Sequence, residues 1–306
     1  MDKNQKYIII GVSCVIASAL TLYFLSRKPS KTPSSDYYDA PNDLDSSLNK
    51  SDSKSIYTNS QITTAASSPV KNEVVVAKIK PNFFDCTVSA PGKVLIAGGY
   101  LVLVKPNIGI VISATPRFYS TVKSLPKIDK PKGFCSFQVE SPQFHTTYLF
   151  DYNIEKNSIY ISSNNENKFI EKCLWVVLSY ARKHLGIEHF CDIFTYISEN
   201  NSVGIKLRAD NDFYSHIKKL KNEKLPLSST SLKALDRFLP NPLHEDGTVN
   251  VAKTGMGSSA AMTTSLVGAL LHWLGIINLE ETNQNEFSFK LIHNLSQLAH
   301  GNISFD

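Results

Sequence analysis

Hydrophobic and polar positions follow different patterns before and after residue 83. From residue 83 onward, short stretches rich in β-branched and aromatic residues alternate with longer segments of helical periodicity, which is typical of a mixed α/β domain. The short stretches predict strands at residues 83–88, 94–97, 109–114, 118–122, 134–139, 146–150, 193–197 and 203–207. Because Gly, Pro or Lys separate most of these strands, their spacing favours antiparallel pairing.

Helical periodicity is found mainly in the second half of the chain. The predicted helices are residues 168–185, 231–239, 258–274 and 283–300. In the first of them, apolar residues recur on one face from Ile170 to Ala181, basic residues occupy the last turn, and Gly186 follows as a stop signal. We therefore predict one domain over residues 83–306, with a mixed, largely antiparallel sheet and packed helices.

Residues 7–25 form an uncharged and mostly apolar stretch near the N-terminus. A helix that spans a bilayer needs about 20 such residues, so we predict a membrane anchor within residues 1–28. Three basic residues follow the stretch, Arg27, Lys28 and Lys31. Their position predicts that the rest of the chain is cytosolic. A cleaved signal peptide and a misassigned start codon are the alternatives, although a cleaved peptide would not need so long an apolar run.

Composition separates an N-terminal linker from the predicted domain. Residues 29–82 are rich in Ser, Asp, Asn, Thr and Lys without sustained apolar periodicity, which predicts a disordered linker. Residues 1–82 hold 10 Lys and Arg against 7 Asp and Glu, which leaves 22 against 20 for the rest of the chain. Since the domain is nearly neutral and has no basic run interleaved with aromatics, we expect no nucleic-acid partner. The five cysteines include no C-x-x-C pair, which favours reduced thiols in a cytosolic protein.

A glycine- and hydroxyl-rich segment leads into the third predicted helix. It consists of Lys253, Thr254, Gly255, Met256, Gly257, Ser258, Ser259 and Ala260. Glycines allow the backbone to curl around an oxyanion, and the first N–H groups of a helix lack internal partners and attract negative charge. The pattern is not the G-x-x-x-x-G-K-[ST] loop. Taken alone, it leaves open a phosphate site and an ordinary Gly-rich turn with Ser as N-cap.

This segment resembles the second signature of the GHMP kinases. The first signature of that superfamily is present at residues 90–103, as Ala-Pro-Gly-Lys-Val-Leu-Ile-Ala-Gly-Gly-Tyr-Leu-Val-Leu. Its Gly-Gly-Tyr is similar to phosphomevalonate kinases, whereas mevalonate kinases and galactokinases usually have Gly-Glu-His. Residues 168–172 and 211–215 also resemble phosphomevalonate kinase segments. One departure is Val251-Ala252, where many superfamily members have a proline.

The resemblance implies an enzyme that transfers the γ-phosphoryl group of ATP to 5-phosphomevalonate, in isoprenoid and sterol biosynthesis. It implies that Gly255 to Ala260 cradle the triphosphate, that Ser259 binds Mg²⁺, and that Lys93 is a catalytic residue that neutralises charge between donor and acceptor. Lys253 is expected either at the surface or on a phosphate. Tyr100 is expected in the core rather than on the substrate.

The resemblance also implies a third signature and a C-terminal domain. The sequence ends at Asp306 with Ser304-Phe305-Asp306, at best a vestige of that signature, so this chain is expected to be truncated and inactive. The alternatives are a membrane-tethered, non-catalytic protein that binds a nucleotide or a partner, and another GHMP kinase such as mevalonate kinase. His293 and His300 lie two turns apart on the last predicted helix, where we expect surface or capping histidines rather than a metal pair.

Overall fold

A computed structural model describes residues 7–9, 85–279 and 286–301, which include a seven-stranded sheet. The strands are β1 (Tyr7–Ile9), β2 (Cys86–Ala97), β3 (Ile110–Pro126), β4 (Phe134–Ser141), β5 (Thr146–Asn153), β6 (Ser158–Ile161) and β7 (Asn201–Ala209). Their spatial order is β1-β2-β3-β7-β4-β5-β6. Four of the six pairings are antiparallel, whereas β1 with β2 and β4 with β7 are parallel. The predicted mixed, largely antiparallel sheet is confirmed.

Six helices accompany the sheet in the described part of the chain. They are α1 (Lys168–Leu185), α2 (Ile187–Asn200), α3 (Ile217–Asn222), α4 (Ser229–Ala234), α5 (Ser258–Trp273) and α6 (Glu286–Gly301). Helix α5 contacts β2 and β3 on one side and α1 and α6 on the other. It is therefore apolar nearly all round, as expected of a helix buried in the core. Its residues Leu266, Val267, Leu270 and Leu271 are fully buried.

The start of α1 shows how local sequence sets an element boundary. The side chain of Asn167 accepts hydrogen bonds from the backbone N–H groups of Phe169 (3.1 Å) and Ile170 (3.2 Å), so two of the otherwise unpaired donors of the first turn are satisfied. Gly186, with φ of 83°, ends the helix. The predicted helix at residues 168–185 is confirmed at both ends.

Several predicted elements differ from the structure. One strand, β2, includes residues 86–88 and 94–97 of two predicted strands, and β3 includes residues 110–114 and 118–122 of two more. Residues 193–197, predicted as a strand, lie inside α2, because Phe190, Phe194 and Ile197 share the helical spacing of one buried face. The predicted helix at 231–239 is shorter, since α4 ends at Ala234 and Leu235 has an extended backbone. Strand β6 and helix α3 were not predicted. Both are short, and short elements carry little periodic signal.

Little of the N-terminal prediction falls on described residues. Tyr7–Ile9, the first three residues of the predicted membrane segment, form a strand parallel to β2 instead of a helix. Residues 10–84, with the rest of that segment and all of the predicted linker, lie outside the described residues. Within the ranges that are described, no helix is long and apolar enough to cross a bilayer.

Candidate functional site

The two glycine-rich signatures meet in the folded domain. The backbone N–H of Lys93, in β2, donates to the carbonyl of Met256 in the loop before α5 at 2.9 Å. A methyl group added at the neighbouring Gly92 would lie 3.1 Å from that carbonyl oxygen and 3.1 Å from the ring of Phe213. A side chain at position 92 would force the loop carbonyl or the ring to shift by a few tenths of an ångström, so glycine suits this close approach. The structure thus brings together segments that lie more than 150 residues apart in the sequence.

Backbone N–H donors are unpaired where the loop ends and α5 begins. Gly255 and Gly257 have φ of 87° and 67°, in the left-handed region that glycine adopts without strain. The N-cap of α5 is Gly257, which provides no side-chain capping bond, and Ala261 N donates to Gly257 O at 3.1 Å. The N–H groups of the residues between them therefore precede the intrahelical ladder and remain available to an anion.

Lys93 adds a positive charge at the same place. Its side chain lies across Gly257, where an added Cβ would be 3.1 Å from Lys93 Cγ and 3.7 Å from its ammonium nitrogen. The lysine is partly buried, and the positive end of the α5 dipole lies beside it. Lys253, at the other end of the loop, is exposed and forms an isolated bridge with Tyr214.

Ser259, in the first turn of α5, contacts the last turn of α6. Its hydroxyl oxygen lies 3.1 Å from Nε2 of His300, whose ring packs against Phe169 with 5.5 Å between ring centroids. Burial, and then the charge of Lys93, lowers the pKa of His300. The expectation that His300 is an ordinary surface or capping residue is wrong, because α6 packs against α5 and turns this histidine towards the loop.

Three hydrogen bonds connect the segment 210–215 to the beginning of the loop. Ser215 N donates to Ala252 O at 2.8 Å and Thr254 N donates to Phe213 O at 3.2 Å. The hydroxyl of Thr254 donates to the Asp212 carbonyl at 2.6 Å. These three bonds hold the loop against the end of β7. They also give a structural role to a segment that the sequence marked only by resemblance.

An open cavity of about 790 Å³ lies between this segment and α4. Its walls include Asp210, Asp212, Tyr214, Lys233, Arg237 and Thr254. Since Thr254 and Met256 belong both to the loop and to the cavity wall, the cavity opens next to the start of α5. Small-molecule pockets usually have volumes of about 300–1,000 Å³, so this one is large enough for a nucleoside.

Asp210 organises one wall of the cavity. Its carboxylate accepts from the backbone N–H of Arg117 at 2.8 Å and from Arg237 Nε at 3.0 Å. The Arg237 guanidinium lies over the rings of Tyr119 (4.9 Å) and Phe238 (4.4 Å). Burial, followed by the charge of Asp210, raises the pKa of Tyr119. Sequence reasoning missed Arg237, because nothing in the local pattern links it to a carboxylate 27 residues away.

One more predicted residue, Tyr100, lies away from the loop before α5. Tyr100 is 91% exposed, at a short 3-10 turn after β2, so the prediction that it packs in the core is wrong. Leu101 and Ile108, on the same connection, are exposed as well. Among residues 7–9, 85–279 and 286–301, no group of three or more His, Cys, Asp or Glu side chains could hold a metal ion. Ser259 is the described residue that the sequence assigns to Mg²⁺.

Comparison with known proteins gives consistent sequence matches. The chain is 34% identical over 228 residues to a peroxisomal phosphomevalonate kinase of Arabidopsis thaliana, covering 69% of this chain and 45% of that protein. It is 29% identical over 225 residues to a phosphomevalonate kinase of Gibberella zeae, covering 70% of this chain and 45% of that protein. No protein-family model matches the chain.

Among solved structures, the Lin0012 protein from Listeria innocua is similar, with a TM-score of 0.32 and 15% identity over 70% of this chain and 43% of that one. The chain spans about half the length of the curated relatives that it matches. The sequence matches confirm the resemblance predicted from the two signatures: this chain is related to the phosphomevalonate kinases over a little under half of their length.

Proposed function

We propose that the described domain binds Mg²⁺·ATP and that the protein transfers the γ-phosphoryl group to the phosphate of 5-phosphomevalonate. The observation that carries this proposal is the position of Lys93. Its backbone donates to the loop carbonyl of Met256, and its side chain crosses Gly257 where α5 begins. A cation and a row of helix N–H groups therefore lie at one place, and the relative that the chain matches over 69% of its length is a kinase.

The residues of the loop fit a triphosphate. The α5 N-terminus offers backbone donors that precede the intrahelical ladder, and no described atom lies within 4 Å of a Cβ added at Gly255. The backbone there is open to an approaching phosphate. The adjoining cavity, with Thr254 and Met256 in its wall, would hold the nucleoside part of ATP. Lys253 and Thr254 are proposed as further nucleotide contacts from the edge of the loop.

Ser259 fits Mg²⁺ because its hydroxyl is a hard oxygen ligand at the same helix end. Mg²⁺ usually binds one or two protein oxygens together with substrate phosphates and waters. A single protein hydroxyl is therefore enough when phosphates and waters complete the coordination. When bound, Mg²⁺·ATP supplies the phosphoryl group and a divalent charge beside it.

The contribution of the protein itself is electrostatic. A phosphate acceptor, with a second pKa near ~6, is already ionised at pH 7, so repulsion between two anions limits the reaction more than proton removal does. Lys93 and the positive end of α5 reduce that repulsion. They are effective because the fold fixes them before substrate arrives.

Calorimetric titration of the 306-residue chain with Mg²⁺·ATP tests the nucleotide site. We expect saturable binding, with Lys93→Met and Ser259→Ala each reducing affinity by about 10-fold or more, since hydrogen bonds to charged groups contribute ~1.5–3 kcal/mol. Lys290→Met is the matched control, because Lys290 is an exposed lysine of α6 paired only with the exposed Glu286 among described residues. Binding that is equal in all four proteins would contradict the proposed site.

Release of ADP in the same samples tests the transfer and separates the alternatives. Release that depends on 5-phosphomevalonate supports the proposal, and release that depends on mevalonate favours a mevalonate kinase. Because the chain spans 45% of its Arabidopsis relative, saturable Mg²⁺·ATP binding without either reaction agrees with the truncated, inactive kinase expected from the sequence and also with a nucleotide-binding protein without transfer activity. A transcript that continues in frame past the codon for Asp306 and encodes the third signature would favour the kinase.

A further inference from the structure

We infer that His300 is a positioning residue that holds the Ser259 hydroxyl in the orientation needed to bind the metal of a nucleotide. This inference rests on the proposed Mg²⁺·ATP site. It assigns a function to the contact between the first turn of α5 and the last turn of α6, two helices that pack against each other in the described core. No motif in the sequence indicates it.

A hydrogen bond can form between His300 and Ser259. Nε2 of His300 is 3.1 Å from the Ser259 oxygen, within hydrogen-bond distance. A serine hydroxyl has one proton and two lone pairs, and free rotation would point them in any of three staggered directions. One bond to the imidazole fixes that rotation, whichever of the two groups donates. At least one lone pair is left for a cation on the opposite side.

A histidine at this position also leaves one polar atom unpaired. The other ring nitrogen of His300, Nδ1, is buried and has no hydrogen-bond partner among the described residues. An unpaired buried polar atom destabilises the fold, and an apolar side chain at this position would avoid that cost. The only described polar contact of the ring is the one with Ser259, so that contact is the reason to keep a polar ring in this place.

Packing on two sides keeps the His300 ring in place. It packs against Phe169 at the start of α1, and the neighbouring Ala299 and Gly301 are buried. Helix α6 contacts both α1 and α5, so the backbone that carries His300 is held from two sides. A histidine fixed in this way orients the serine, whereas a mobile one would not.

Nucleotide affinity with and without metal tests this role. Wild type, His300→Phe, His300→Gln and Ser259→Ala are each titrated with ATP in Mg²⁺ and with ATP in EDTA. We expect His300→Phe to weaken binding of Mg²⁺·ATP by about 10–100-fold, the usual loss when a partner of a metal ligand is removed, and to change metal-free binding by less than about 2-fold. The glutamine amide can reach the serine, so His300→Gln should recover most of the affinity.

Double substitution gives the decisive comparison. If His300 acts through Ser259, then His300→Phe combined with Ser259→Ala should bind no more weakly than Ser259→Ala alone. Additive losses, equal losses with and without metal, or no recovery by His300→Gln would overturn the positioning role while leaving the nucleotide site intact. Absence of Mg²⁺·ATP binding by the wild-type chain would instead overturn the proposed function, and this inference with it.

Discussion

The side chain of Lys93 occupies the space above Gly257, so that a Cβ on this glycine would lie 3.1 Å from Lys93 Cγ and 3.3 Å from Cε. A Cβ added at position 257 would therefore have two effects. A residue with a side chain would have to adopt the left-handed backbone conformation of Gly257, and its Cβ would displace the Lys93 side chain from the start of α5. These effects can be separated, because other glycines share the conformation without the neighbour.

Gly257→Ala is expected to lose ~1–2 kcal/mol of unfolding free energy from backbone strain and to bind Mg²⁺·ATP more weakly than wild type. Gly247→Ala is the matched control, since Gly247 has φ of 81° and an added Cβ meets no described atom within 4 Å. It should lose similar stability in urea unfolding but keep its nucleotide affinity. Equal Mg²⁺·ATP affinities for the two variants would show that the position of Lys93 does not affect nucleotide binding.

Asp210→Asn should loosen the cavity wall. The substitution keeps the size of the side chain but removes the charge that pairs with Arg237 and accepts the Arg117 N–H, at a cost of ~1–3 kcal/mol in unfolding free energy. Nucleotide affinity should fall as well, because Arg237 lies in the cavity wall. Glu223→Gln is the control, as it breaks only an exposed pair with Lys219 and should cost less than ~0.5 kcal/mol. Equal stability losses in the two variants would contradict a structural role for Asp210.

Gln143 offers a pH-dependent test of a buried polar contact. Its amide nitrogen donates to the carbonyls of Ala209 (3.0 Å) and Leu239 (3.2 Å), while its amide oxygen accepts from Ala209 N. Gln143→Glu places a carboxylate against two carbonyl oxygens, which raises the pKa of the new carboxyl because its charged form is disfavoured.

The sign follows from proton linkage. The folded Gln143→Glu variant holds a proton that the unfolded chain loses above pH ~4.3, so its stability relative to wild type should be greatest at low pH and fall as pH rises. Urea midpoints of both proteins at pH 4.5 and 7.5 measure this difference. A difference in urea midpoint between the two proteins that is equal at both pH values would show that the carboxylate of the variant reaches solvent.

Two buried thiols predict a loss of stability in alkaline solution. Cys135 and Cys173 are fully buried, and burial raises the pKa of both thiols, to about 12 for Cys173. Above pH ~8.5 the unfolded chain ionises them while the folded chain keeps them protonated, so each lowers the unfolding free energy by up to ~1.4 kcal/mol per pH unit. A Cys135→Ala/Cys173→Ala variant should be less stable at pH 7 but show a smaller decline between pH 9 and 10.

The fold was predictable where sequence patterns are long and locally capped. Helix α1 has 18 residues of one periodicity between Asn167 and Gly186, so both ends could be located. Taken alone, the short apolar run at residues 193–197 fits a strand or a helix equally well. The helical spacing shows only when Phe190 is included, and packing against β4 and β7 favours the helix.

The site was predictable only in part, for a related reason. The glycines of the loop and Lys93 lie in recognisable motifs, so sequence reasoning found them. The contact of Ser259 with His300 spans 41 residues, and that of Arg117 with Asp210 spans 93. Such contacts depend on how α5 packs on α6 and how β3 pairs with β7, and single-residue patterns do not encode either arrangement.

The place of β7 in the middle of the sheet has a consequence for how this protein emerges from the ribosome. The second half of β3, from Phe118 to Pro126, pairs with the whole of β7, although Arg117 and Asp210 at one end of this pair are 93 residues apart. At about 5–20 residues per second, the edge of β3 would stay open for roughly 5–20 s of synthesis. Val122, which is fully buried in the folded domain and pairs with Ile205 of β7, lacks this partner in such a nascent chain. Chaperones that bind extended apolar chain should therefore engage nascent chains that end between β3 and β7, and release them once β7 has left the exit tunnel.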